Sequence, residues 1–155
     1  GIPKRERPGT MEILPNIEWL LDYEIRLSTR YRRFLSFVMV SAADKDPTTL
    51  DQVLSETIRS SDVRFLEQNG ISVVMGETGK ADAVHAIERY KRTLSGSMNA
   101  RYAVATFPSD GKTSVALRHT ALKRLKKACT LGSGAIVAGK LDDDDSAFAE
   151  PRPAR

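Results

Sequence analysis

The segment Phe34 to Val40 (FLSFVMV) limits the fold more than any other part of the chain. It is nearly continuous in apolar strand formers, too short for a buried helix or a bilayer span, and it offers almost no polar side to water. A strand of this kind needs cover on both faces. It therefore predicts a central place in a sheet with helices on either side. A chain of 155 residues with 41% hydrophobic and 28% charged content suits one such domain.

The flanking pattern changes period in a way that fills out this architecture. Ile13, Ile17, Leu20, Leu21 and Ile25 recur at helical spacing and predict a helix over roughly 12–32, ending in Arg30, Arg32 and Arg33. Asp46-Pro47 supplies an N-cap and a first-turn proline for a helix whose face is Leu50, Val53, Leu54, Thr57 and Ile58, reaching about Arg59. Val63–Leu66 and Ile71–Met75 form a hairpin through Gln68-Asn69-Gly70, where Asn-Gly would supply positive φ angles. Ala83, Val84, Ile87, Tyr90 and Leu94 mark a helix, and Arg101–Phe107 a strand. Leu117, Ala121, Leu122, Leu125 and Ala128 mark a last long helix, and Gly134–Ala138 a short strand.

The implied fold class is α/β (α+β), a mixed central sheet of about five strands flanked by helices, with a ferredoxin-like core and a leading N-terminal helix. Residues 1–10 read as a disordered leader, 11–140 as the domain, and 141–155 as a disordered acidic and proline-containing tail.

Several function classes are excluded at this stage. No window approaches the length of a bilayer span, so direct membrane insertion of this segment is not expected. Cys129 is the single cysteine, which rules out an intramolecular disulfide and a cysteine-based zinc cluster, and His85 and His119 could add only two ligands. The net charge is +4, but acidic and basic residues are interleaved without a basic stripe, so nucleic acid is not expected as a partner.

Three segments then become specific. Leu21 to Val40 (LDYEIRLSTRYRRFLSFVMV) resembles the opening helix and first strand of the bacterial diguanylate cyclase (GGDEF) domain. Tyr102 to Lys112 (YAVATFPSDGK) is similar to that family's strand and P-x-D-G loop, and Thr120 to Ala128 (TALKRLKKA) followed by Gly132 resembles the helix after it. The resemblance spans about residues 18–138 in the family's order.

Active members of the family join two GTP molecules with carboxylate-held divalent metal. The resemblance places the first metal ligand at Ser41, followed by Ala42 and Ala43, with Asp44 one register shift away. It places the signature turn at Gln68-Asn69-Gly70-Ile71-Ser72, so its acidic pair becomes Gly70 and Ile71. The resemblance therefore implies a degenerate domain that is not an enzyme, with no catalytic residues, no metal and no cofactor. Residual activity would require Asp44, Glu67 or another carboxylate to substitute for the lost ligands.

Many members of the family also bind cyclic di-GMP at an R-x-x-D motif placed five residues before the signature turn. This chain has Arg59-Ser60-Ser61-Asp62, and Val63 to Glu67 separate it from Gln68. Arginine offers a planar fork for phosphate or guanine, and aspartate can accept from guanine donors. The ungapped position of a further basic contact is Tyr90, which lies on an apolar face and reads as a half-buried core tyrosine, flanked by Arg89 and Lys91. The implied binding set is Arg59, Asp62, Arg89 and Lys91.

Simpler structural roles stand beside these. Arg59 could complement a helix dipole, and Asp62 could satisfy backbone donors at a turn. His85 and His119 read as solvent-facing helix residues, Cys129 as a small packing residue, and Lys123, Arg124, Lys126 and Lys127 as a solvated helix face. Two functions remain open: a cyclic di-GMP receptor reporting to an attached domain or protein partner, and a scaffold for interaction or homodimerisation, with Val53, Leu54 and Ile58 as an exposed apolar patch. Either is expected in the cytoplasm, alone or as the cytoplasmic part of a larger membrane-attached protein.

Overall fold

The computed structural model describes residues 16–139. The expected leader, the expected tail and the first residues of the expected opening helix lie outside the described residues. Helix α1 runs Ile17–Tyr31, and the Asn16 side chain accepts from the Trp19 N–H at 2.8 Å to cap it. It ends on Arg32 in the left-handed conformation, with the Arg33 N–H bonded to the Ser28 carbonyl at 3.0 Å. Strand β1 (Leu35–Ser41) follows, then α2 (Pro47–Leu54), β2 (Val63–Glu67), β3 (Gly70–Gly76), α3 (Lys80–Leu94), β4 (Arg101–Phe107), α4 (Ser114–Leu131) and β5 (Ile136–Val137).

All seven residues of β1 are buried, and the strand stands in the middle of a five-stranded sheet of order β2-β3-β1-β4-β5. It pairs antiparallel with both β3 and β4, while β4 and β5 are parallel. Alternate residues feed two cores. Val38 and Val40 pack with Leu50, Leu54, Ile87 and Tyr90 of α2 and α3 on one face. Leu35, Phe37 and Met39 pack with Leu21, Ile25, Leu117 and Ala121 of α1 and α4 on the other. The unit from β1 through β4 is the ferredoxin-like βαββαβ arrangement.

Four details depart from the sequence reading. Helix α2 stops at Leu54 rather than near Arg59, because both the hydroxyl and the N–H of Ser55 turn back to the Gln52 carbonyl. The Thr57 and Ile58 N–H groups then both close on the Leu54 carbonyl, and the chain continues in tighter turns that still bury Ile58. The hairpin turn is Gln68-Asn69, and neither Asn69 nor Gly70 has positive φ. Gly70 is required for another reason: a Cβ there would lie 1.8 Å from the Val40 carbonyl oxygen.

Arg124 does not lie on the solvated face of α4, where Lys123, Lys126 and Lys127 are exposed. It continues the buried stripe of Leu117, Ala121 and Ala128. Its Nη1 donates to the Val104 and Ala138 carbonyls and to Asp110 Oδ2, and its Nη2 donates to Asp110 Oδ1. Cys129 is exposed rather than packed, since it falls one position past that stripe.

Candidate functional site

Two clefts open at opposite ends of the β1–β3 pair, whose register runs from Leu35↔Gly76 to Ser41↔Gly70. At about 3.3 Å per residue, those ends are roughly 20 Å apart.

The cleft at the Ser41 and Gly70 end has a volume of about 420 Å³ and is lined by residues of β1, the 68–71 turn and α4. This is where the resemblance places the first metal ligand and the signature turn. Among the described residues, its lining supplies Ser41, Asn69, Gly70 and Ile71 and one carboxylate, Glu67, which is bound by Arg118 Nη1 at 3.2 Å. Asp44 is exposed and does not line it. Among the described residues, no group of three or more His, Cys, Asp and Glu side chains could hold a metal ion. The donors that the described residues bring to this cleft do not fit a divalent metal.

The cleft at the other end has a volume of about 370 Å³ and carries charge from four segments: Glu24 of α1, Arg33 before β1, Arg59 and Asp62, and Glu77 after β3. The R-x-x-D spacing has a direct structural cause. The Asp62 N–H donates to the Arg59 carbonyl at 3.0 Å, making residues 59 and 62 the two ends of one tight turn. Arg59 lies five residues beyond the end of α2, so it does not complement that helix's terminus.

Asp62 is half-buried, and no hydrogen bond or ion pair among the described residues reaches its carboxylate. Burial pushes its pKa above the ordinary 3.8, against the opposing fields of Arg59 and Arg89. Glu24 is likewise raised by burial, lowered in part by Arg33 and raised further by Glu77. Tyr90 is fully buried rather than half-buried. Its hydroxyl has no hydrogen-bond partner among the described residues, and burial and the nearby Asp62 push its pKa up.

Of the four residues expected to bind ligand, Arg59 and Asp62 line this cleft, while Arg89 is absent from its lining and bears on it only through its field on Asp62. Lys91 lines a separate cavity of about 210 Å³ beside Ser95, Asn99 and Gly134. Arg33 and Glu77 were not anticipated at this cleft, since nothing in their local sequence links positions 33 and 77. The patch expected at Val53, Leu54 and Ile58 does not form, because Leu54 and Ile58 are buried. No described helix is long and apolar enough to cross a membrane.

No protein-family model matches this sequence, and no curated protein matches it closely enough to count. Solved structures do. The GGDEF domain of Pseudomonas aeruginosa YfiN superposes with a TM-score of 0.74 at 18% identity, covering 83% of this chain and 98% of that one. The active GGEEF domain of a diguanylate cyclase from Vibrio cholerae superposes at 0.72 with 11% identity, covering 81% and 96%. A sensory box/GGDEF family protein from Caulobacter crescentus gives 0.64 at 18% identity, covering 74% and 90%. The chain has the fold of GGDEF domains.

Proposed function

We propose that this chain is a catalytically inactive GGDEF-like domain that binds cyclic di-GMP through Arg59 and Asp62, with Arg89 in support, and reports the ligand to an attached domain or protein partner. One observation carries the reading: Asp62 is half-buried on the rim of a cleft, opposite Arg59 in the same turn, with no partner of its own among the described residues. A carboxylate in that state is poised to accept from the donor edge of a guanine, and a guanidinium beside it is suited to phosphate or to the Hoogsteen edge. Inactivity is supported by the other cleft, where Ser41, Gly70 and Ile71 offer no carboxylate and Glu67 is engaged by Arg118. The sensory-box neighbour is a precedent for attached domains.

The test is calorimetric titration with cyclic di-GMP, alongside GTP with magnesium or manganese. Binding of the dinucleotide that Arg59→Ala and Asp62→Ala together abolish, with no product from GTP, is the expected result. Turnover of GTP would overturn the inactive reading, and absence of heat at high ligand concentration would overturn the receptor reading. In that case the interaction scaffold takes over. It has its own support in the exposed, stacked rings of Trp19 and Tyr23 on α1, whose centroids lie 5.6 Å apart.

A further inference from the structure

We propose that Arg33 is a further ligand-contacting cation of the Arg59–Asp62 cleft, held in reserve by Glu77 until an anionic ligand displaces that carboxylate; this rests on the cyclic dinucleotide reading above. Arg33 and Glu77 line the same cleft as Arg59 and Asp62, and Arg33 Nη1 lies 3.2 Å from Glu77 Oε2. The Arg33 Nε is buried and has no hydrogen-bond partner among the described residues, so the pairing with Glu77 leaves its fork incompletely used.

The two partners are mounted differently. Arg33 is only 31% exposed along its side chain, its N–H is bonded to the end of α1, and its guanidinium lies 5.3 Å from the centre of the Tyr31 ring. Glu77 is 68% exposed and sits at φ 54°, a left-handed conformation that a residue with a Cβ rarely adopts. Its neighbours are pinned: the Thr78 hydroxyl donates to the Gly76 carbonyl, and the Ser36 hydroxyl donates to the Thr78 carbonyl. The side chain of Glu77 can therefore swing into water without disturbing the backbone, whereas Arg33 stays in place.

Charge decides which contact gives way. Among the described residues, the lining carries two guanidiniums, Arg33 and Arg59, against three carboxyl groups, Glu24, Asp62 and Glu77. A ligand bearing two phosphates meets a cleft with more carboxyl groups than lining cations, and releasing Glu77 removes the most exposed repulsion while uncovering a planar fork for a phosphate. Because Arg33 is bonded into the terminus of α1, the ligand's charge then bears directly on the leading helix.

The proposal is tested by titrating cyclic di-GMP into the wild-type chain, Arg33→Ala, Glu77→Gln and the double variant, with folding checked by circular dichroism. Arg33→Ala should weaken binding by about tenfold, as expected for losing one charge-assisted contact. Glu77→Gln should tighten it by roughly three- to tenfold, and that gain should vanish in the Arg33→Ala background, because Glu77 acts through Arg33. Arg33→Lys, which keeps charge but loses the fork, should fall between wild type and Arg33→Ala. An equal gain from Glu77→Gln with or without Arg33 would reduce its effect to general repulsion and overturn the proposal. Unchanged affinity in both single variants, while Arg59→Ala with Asp62→Ala abolishes binding, would overturn it and leave the receptor reading intact. No binding by the wild type would overturn both.

Discussion

Asp110 and Arg124 meet inside the fold, whereas Asp62 and Arg59 face solvent from the two ends of a single turn. The first pair is saturated: Arg124 spans both carboxylate oxygens and two backbone carbonyls, and the Thr106 N–H also donates to Asp110 at 2.8 Å. The Thr120 hydroxyl closes on the Asp110 carbonyl, and a Cβ at Gly111 would lie 2.8 Å from the Leu117 nitrogen, so the whole P-S-D-G turn is fitted against α4. The second pair has the same chemistry and none of that closure. Groups that satisfy one another hold the scaffold, and groups left half-buried without partners beside a cleft are where a ligand's donors and acceptors can be used.

The contrast is broken most severely from the saturated side. Arg124→Met should cost about 3–5 kcal/mol of folding stability, because it leaves Asp110 with only the Thr106 N–H and removes the guanidinium from two inward carbonyls. Urea denaturation followed by circular dichroism checks this, and a loss below about 1 kcal/mol would mean that the buried pair contributes little to the fold. From the open side the effect should appear in binding. Arg59→Ala or Asp62→Ala alone should cost about 1.5–3 kcal/mol of affinity for cyclic di-GMP, read by calorimetry, with the urea midpoint nearly unchanged. A drop in stability comparable to that of Arg124→Met would place Asp62 in the scaffold.

The difference between the two pairs was partly legible in the sequence. The apolar run of β1 announced its own double burial, because no surface position tolerates Leu35 to Val40. The spacing of Arg59 and Asp62 marked the pair as a candidate but did not show the turn that joins them. Arg124 was hidden among Lys123, Lys126 and Lys127, although it sits at helical spacing from Leu117 and Ala121, and that phase was the available signal. Gly70 was read as a local turn residue, whereas its need comes from the Val40 carbonyl on a neighbouring strand. Arg33 and Glu77 could not be paired beforehand, since only the β1–β3 register brings residues 35 and 76 together.

Tyr90 tests whether the open site has a hidden partner. Its buried hydroxyl has no hydrogen-bond partner among the described residues but feels the fields of Asp62, Arg89 and Arg59. If it makes no bond, Tyr90→Phe should leave stability unchanged or raise it by up to ~1 kcal/mol, since a desolvated hydroxyl is removed without loss. Destabilisation of that size instead would indicate that the hydroxyl donates to Asp62 and that the open pair is less open than its geometry implies.

The smallest expected signal is the pH dependence of Asp62, and its sign separates folding from binding. The pKa of Asp62 is raised in the fold by burial, so the folded chain holds this proton more tightly than the unfolded chain does. The stability from Asp62 is fully present below its ordinary 3.8 and is lost as pH rises through the raised folded value; Glu24 behaves alike from its ordinary 4.5 upward. The urea midpoint should therefore carry a component that falls with rising pH across this window, and Asp62→Asn should remove part of it. Ligand binding should run the other way over the same window, because only the ionised Asp62 can accept from guanine donors with both oxygens. Parallel slopes for stability and affinity would break the link between the unpartnered carboxylate and the ligand, whereas opposed slopes, both flattened by Asp62→Asn, would tie the cost of leaving that carboxylate without a partner to the binding it makes available.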